Sequence, residues 1–374
     1  MRVVLVTSLE RGGPIEQVGL LSRGLAKLGA SVLVTCANAE LAESFATEGV
    51  RAEVAPLRHQ ADLPGAARVA RLARGADVVH AHDRRAGLWT RLAPRPRRGG
   101  VRVYTTHGLP EPYLPPPAGP SRPGLRATLL YRGLDAALSA RSDAIVVPSQ
   151  AIARTLIERV GYPAGKIVVV PNGIELQART AVDAAHTTAD GTGLIGTLSL
   201  LEPVKGLEVF LRAAALLAEG HPEWRFAVYG SGSQAEPLKA LARELGLDER
   251  LRWPGFVPSE RALATLRVFV ICSYVENAPL ALLEAMASGV PVVASSVGGI
   301  PEIADEGVAR MIAPGDPPAL AGAIERTLLD ADETASRTQA ARRRVEERFT
   351  AERNARTLSE LYARLLAAAG PRTA

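Results

Sequence analysis

The chain has 374 residues and a net charge of +5, and 47% of its side chains are hydrophobic, with few aromatics among them. That length accommodates two domains with sizeable cores, and the lack of any run of about eighteen apolar residues argues against a membrane-spanning helix. Cys36 and Cys272 both fall in predicted apolar strands and read as reduced thiols rather than a disulfide framework.

The opening M-R-V-V-L-V-T is already a first strand, over residues 3–7, so no signal peptide is expected and a cytoplasmic enzyme is the default reading. Arg11-Gly12-Gly13-Pro14 then makes a tight turn into a helix over 15–28. Glycines there let backbone approach a ligand beside a helix N-terminus, although a plain strand–helix turn has the same composition. The turn is not G-x-G-x-x-G, which disfavours a dinucleotide-dependent oxidoreductase. Residues 31–36 form the second strand, and Asp77-Val78-Val79-His80-Ala81-His82-Asp83 a strand with a polar end. A strand over 101–105 delivers Thr106-His107-Gly108-Leu109-Pro110 to the carboxyl edge of the sheet, where open parallel sheets bind ligands. His80, His82 and Asp83 could imitate a metal cluster. H-A-H is read as placing its imidazoles on opposite faces of the strand, so no metal is expected there.

Residues 110–124 are too proline-rich for a helix or inner strand, and a mobile acceptor-side loop is expected. A helix over 125–140, a strand over 144–147, a helix over 150–160 capped by Ser149, and a strand over 166–170 follow. Pro171-Asn172-Gly173-Ile174 leaves the sheet, and residues 177–192, short of large apolar side chains, are assigned as the interdomain linker.

The second half starts with a strand over 193–198 and a Lys205-Gly206 pair at the entrance of a helix over 207–217. Strands over 224–229 and 251–253 follow, the first ending in Gly230-Ser231-Gly232 and the second leading into Pro254-Gly255-Phe256-Val257-Pro258. The densest stretch is 272–303. A strand over 268–272 leads into a loop carrying Glu276, then a helix over 278–288 with Pro279 in its first turn, a left-handed cap at Gly289, and a strand over 290–294. This is the crossover unit of a parallel sheet. A helix N-terminus suits a phosphate. Glu284, inside the helix, better suits a vicinal diol such as that of a ribose, and Glu276 would face whatever lies beyond the phosphates. A nucleotide sugar fits. Helices are expected over 318–329 and 335–349, with D-A-D at 330–332 as a solvated loop between them.

Glu276 and Glu284, in an E-x7-E spacing followed by A-M-A-S-G-V-P-V-V-A and G-G-I-P-E-I, resemble the donor-binding signature of the retaining GT-B glycosyltransferases of group 1, or family four. The resemblance implies an α/β protein of two doubly wound, Rossmann-like domains facing across a cleft. Residues 1–176 would be the acceptor-side domain, 193–350 the donor domain, and 351–369 would cross back onto the first. It implies a nucleotide-diphosphate sugar as co-substrate, with no cofactor and no metal. By the same resemblance Gly12 and Gly13 face the donor's phosphates and His107 sits beside the transferred sugar. Lys205 and the amides of Ala278, Pro279 and Leu280 steady the diphosphate, and Gly230 lines the cleft. Phe256 and Val257 meet the base through backbone atoms, Glu276 and Asn277 contact the donor, and Glu284 holds the ribose. His107, Lys205 and Glu276 are the catalytic candidates.

The family usually carries an arginine five residues before the lysine and a glycine before that; this chain has Leu200 and Ser199. A non-catalytic nucleotide-sugar-binding partner or sensor is therefore the alternative. The acceptor, whether glycan, lipid-linked or small molecule, is not specified. Lys and Arg outnumber Asp and Glu by 23 to 14 over residues 1–175, against 21 to 25 over 176–374. That surplus could hold an anionic membrane surface or a phosphate-bearing acceptor, or simply solvate the chain. Aromatics are not interleaved with the arginines, so nucleic acid is not expected.

Overall fold

In the computed structural model seven strands alternate with helices through the first half: β1 (Arg2–Val6), β2 (Ser31–Cys36), β3 (Ala52–Val54), β4 (Val78–Ala81), β5 (Val101–Thr105), β6 (Ala144–Val147) and β7 (Ile167–Val169). They form one parallel sheet in the order β3-β2-β1-β4-β5-β6-β7. Six more, β8 (Leu194–Leu198), β9 (Phe226–Tyr229), β10 (Leu251–Gly255), β11 (Leu266–Ile271), β12 (Val292–Ser295) and β13 (Arg310–Ile312), form a second parallel sheet in the order β10-β9-β8-β11-β12-β13. The structure describes residues 1–109, 113–114, 124–176 and 193–370. Most of the expected acceptor-side loop and the whole expected linker, 177–192, lie outside the described residues.

The described residues divide into two units, one holding the first sheet together with residues 350–370, the other holding the second sheet. In each the chain moves outward from the central strand to one edge, then returns to the other side. The strand order therefore reverses between β1 and β4 in the first unit and between β8 and β11 in the second. Such reversals open a crevice at the carboxyl ends of the two strands.

β-branched and leucine runs form these strands because both faces are covered, and alternate residues enter different cores. Val3, Leu5, Val78 and Val103 pack on one face of the first sheet, with Ala355, Leu358, Leu361 and Tyr362 from the final helix Ala351–Ala368. Gly24 lets that helix approach, since a Cβ there would meet the Ala355 methyl. Val4, Val6, Val79, Ala81 and Tyr104 face the opposite core.

Several details differ from expectation. β3 is a three-residue edge strand, too short to show a pattern. The helix over 125–140 contains a π stretch, Leu129–Asp135, and the one starting at Gln150 continues as a π turn, Leu156–Val160. D-A-D is not a solvated loop: Asp330 caps the helix Ala331–Arg348, accepting the Glu333 amide at 3.1 Å, and Asp332 lies in its first turn. Pro279 is not in the first turn of its helix. It is the extended residue just before the helix Leu280–Ala287, at φ −69° and ψ 126°.

Candidate active site

In the second unit, the reversal between β8 and β11 brings Lys205 and Glu276 together. Lys205 ends a 3-10 turn, Pro203–Lys205, after β8, and Glu276 lies on the loop after β11. The Lys205 ammonium is 2.6 Å from Glu276 Oε1, which also accepts the Ser273 hydroxyl at 2.8 Å. The loop backbone is fixed at several points. Gly206 is left-handed at φ 61° and packs on Cys272 O, where a Cβ would collide. Tyr274 N donates to Val204 O at 2.9 Å, its hydroxyl to Glu208 at 2.6 Å, and the Ser295 hydroxyl to Ser273 O at 2.7 Å. Gly298, at φ 54°, lies against Glu276 O, and Gly299 N donates to that oxygen at 3.2 Å. The carboxylate of Glu276 is thus held by its backbone as well as by its partners.

Directly after this loop the helix Leu280–Ala287 begins with no side chain capping it, and Ala278 and Leu280 are buried, so their peptide groups rather than side chains are what the segment presents. Glu284 is 7% exposed on this helix, among Leu282, Leu283, Ala285 and Met286, all buried. Gly230, at φ 127°, packs on Ser199 O, and any Cβ would run into that carbonyl. Phe256 is 82% exposed, and Val257 is half-buried. The Ser199 hydroxyl is buried without a hydrogen-bond partner among the described residues, and Leu200 beside it is exposed. Burial pushes the Cys272 thiol up to about 12, so no thiolate nucleophile is available there.

In the first unit, Gly12 (φ 94°) and Gly13 open the helix Gly13–Lys27, which no side chain caps. At the carboxyl end of β4, Asp83 caps the helix Arg84–Leu92 by accepting Ala86 N at 3.0 Å, and also takes the Ser8 amide and hydroxyl at 2.5 and 2.7 Å. This carboxylate ties the ends of β1 and β4 together. The H-A-H expectation fails. Residues two apart on a strand share a face, and the His80 and His82 rings lie with centroids 4.1 Å apart, tilted by 37°. His80 is bonded at both nitrogens, Nδ1 to the Tyr362 hydroxyl and Nε2 to the Thr105 hydroxyl, each at 2.6 Å. His82 Nδ1 lies 3.3 Å from Nε2 of the half-buried His107.

Burial holds the His80 imidazole down to about 3, with His107 adding to the effect. It lowers His82 well below the usual range and His107 to about 4, the latter opposed by Asp83. These shifts favour the neutral form of all three rings, and the tautomer sets which of His82 and His107 donates. Sequence reasoning named His107 but missed its supports, His82, His80, Thr105 and Tyr362; the two-residue spacing of H-A-H was the available signal. It also missed Ser273. Among the described residues no group of three His, Cys, Asp or Glu side chains is placed to hold a metal.

Residues 179–344 match the family model of glycosyl transferases group 1, and residues 11–178 that of glycosyltransferase family 4. A D-inositol 3-phosphate glycosyltransferase of Acidothermus cellulolyticus is 32% identical over 278 residues, covering 67% of this chain and 59% of the relative. WcaL of Escherichia coli, a putative colanic acid biosynthesis glycosyltransferase, is 32% identical over 217 residues, 55% of this chain and 53% of the relative. The chain thus spans between about half and two thirds of the length of these curated relatives. Among solved structures, HepE of Anabaena in complex with UDP and glucose superposes with a TM-score of 0.83 at 21% identity, over 97% of this chain and 100% of that one. Sucrose-phosphate synthase of Thermosynechococcus elongatus gives 0.81 at 21% identity, over 98% and 100%. These likenesses show the fold. Its two parallel sheets and the two adjoining family matches make this chain a member of the group 1, family 4 glycosyltransferases of the GT-B fold.

Proposed function

We propose that the chain transfers a sugar from a nucleoside-diphosphate sugar to an acceptor with retention of configuration and without a metal. The observation that carries this reading is the Lys205–Glu276 pair at the sheet's reversal point, 2.6 Å apart beside an uncapped helix start. An ammonium there neutralises charge gathering on a departing diphosphate, and the Leu280 N–H at the uncapped helix start offers a further donor, whereas Pro279 has none. Glu276, fixed by Ser273, orients sugar hydroxyls, with Asn277 beside it. Glu284 holds the ribose, while Gly230, Phe256 and Val257 line the remainder of the donor site. Within the first unit, Gly12 and Gly13 offer an uncapped helix start and His107 a supported imidazole to a ligand.

On this reading donor binding exchanges the Lys205–Glu276 contact for contacts to the ligand. The acceptor oxygen then bonds to the anomeric carbon on the face from which the phosphate oxygen leaves, and the departing phosphate takes the acceptor's proton. Leaving-group stabilisation is the main catalytic task. HepE's complex with UDP and glucose supports this donor class, and the relatives named for inositol phosphate and colanic acid support a hydroxyl-bearing acceptor, a glycan or a lipid-linked or small molecule.

The second reading, a nucleotide-sugar binder without turnover, is favoured by Leu200, an exposed aliphatic residue where the family has a cation. Release of nucleoside diphosphate from UDP- and GDP-sugars by the purified chain, against Lys205→Ala and Glu284→Ala, separates the two. Turnover lost in both variants supports transfer; tight binding without turnover in the wild type overturns it. A peripheral association of the arginine-rich first half with anionic membrane is a further part of the proposal, and among the described residues no helix is long and apolar enough to cross a membrane. Flotation with anionic but not neutral vesicles is the expected result, and indifference to lipid charge counts against it.

A further inference from the structure

A cavity of about 360 Å³ lies in the first unit, between the helices Leu63–Ala73 and Arg84–Leu92 and over the paired strand residues Val79 and Arg102. Its volume falls in the range of small-molecule sites, about 300–1,000 Å³. Ala66, Ala70 and Val79 make one part of its wall and Trp89 another. Such a space is ordinarily dry and featureless, but two of its lining donors, Trp89 Nε1 and Arg102 Nε, are buried without an acceptor among the described residues. Arg102 is 5% exposed, and its Nη2 already donates to Ala93 O at 2.8 Å.

The charge around the cavity is one-sided. Arg71, Arg74, Arg95 and Arg102 line it, and no acidic side chain does. Asp143 outside it is fully engaged, accepting Arg95 through two bonds of 3.0 Å and the Arg102 amide at 2.7 Å. Burial, reinforced by Arg95 and Arg141 and opposed by Asp143, lowers the Arg102 pKa from the ordinary arginine value. The buried N–H groups of Arg102 Nε and Trp89 Nε1, without an acceptor among the described residues, cost free energy that an anionic acceptor would recover.

We propose that this cavity binds a small amphiphile, its phosphate or carboxylate on Arg102 and its apolar body among Ala66, Ala70, Val79 and Trp89. The site is formed by the amino-terminal part of β4 and β5, the segment before β5 and two helices, away from the carboxyl ends of β1, β4 and β5 that carry Ser8, Asp83 and His107. It is therefore independent of the sugar-transfer reading.

The test is calorimetric titration of the full chain with hexyl phosphate. Saturable one-to-one binding is expected, at least about tenfold tighter than hexanol or inorganic phosphate alone, a difference of about 1.4 kcal/mol. Ala70→Leu, which fills the space without removing a polar group, is expected to weaken binding by at least about tenfold while leaving thermal unfolding unchanged or raised. Arg102→Met, checked for folding by circular dichroism, should abolish the preference for hexyl phosphate over hexanol. Absence of saturable binding in the wild type, or equal affinity in Ala70→Leu, overturns the proposal. Phosphatidylglycerol vesicles that compete with hexyl phosphate assign the occupant to a bilayer; vesicles that do not compete assign it to a free amphiphile.

Discussion

The two units fix their candidate residues by opposite means. In the first, His107 is supported by groups that are neutral and mostly buried: His82, His80, and the hydroxyls of Thr105 and Tyr362. The charged pair that stiffens this unit, Arg91 with Asp135 at 2.6 Å, is buried alongside Tyr104 and Tyr162 and contains none of the candidate residues. In the second unit the charges are the candidates themselves, Lys205 and Glu276, with side chains 21% and 10% exposed. Neutral relays hold a side chain in one place whatever binds, whereas a partly solvated ion pair can exchange partners at low cost. The first arrangement suits positioning and the second suits ligand capture.

Four measurements break or sharpen this contrast. The largest expected effect is on acid stability. His80 and His82 have folded pKa values below their unfolded value near 6.5, so the unfolded chain takes up protons that the folded one refuses. Their contribution is complete above pH 6.5 and is lost progressively as pH falls toward the folded values. Urea unfolding of the first unit between pH 7 and 4.5 should show it, and His80→Asn with His82→Asn should flatten the profile. A flat wild-type profile would mean that the imidazoles are not held neutral.

Next comes Arg91→Met, which leaves Asp135 charged and uncompensated. A loss of about 3–5 kcal/mol is expected, with much of it recovered in the double variant Arg91→Met/Asp135→Leu. Equal losses in single and double variants would deny the coupling. Lys205→Ala is expected to lower sugar transfer by about 10² to 10³-fold, a barrier change of about 2.7–4 kcal/mol, while stability changes by at most about 1 kcal/mol because the pair is partly solvated. A large stability loss with unaltered kcat would make the pair structural. Smallest is Tyr362→Phe, which leaves one His80 nitrogen without its hydroxyl and should cost about 1–3 kcal/mol, together with a change in the pH profile that distinguishes it from simple loss of packing.

Much of the fold was legible in the chain because parallel strands buried on both faces are continuous apolar runs rich in Val and Ile, as in 3–6, 144–147 and 268–271. β3 was not, since three residues at a sheet edge carry no period. Asp330 read as loop because a capping carboxylate and a solvated one have the same local sequence until the helix after it is fixed. The E-x7-E run and the Lys-Gly pair were legible separately. Their contact was not, because Lys205 and Glu276 are 71 positions apart and meet only through the strand reversal. The link from Tyr362 to His80 spans 282 positions and was hidden for the same reason.

The helix Ala351–Ala368 gives the first unit a particular timetable. Its core is encoded first yet needs Ala355, Leu358, Leu361 and Tyr362 to cover one face of its sheet. During translation, then, the second unit's residues emerge in full before the first can close, and Val3, Leu5, Val78 and Val103 wait with that face uncovered. A ribosome-bound chain halted before Ala351 would present a folded second unit joined to a first unit still open to chaperones and proteases.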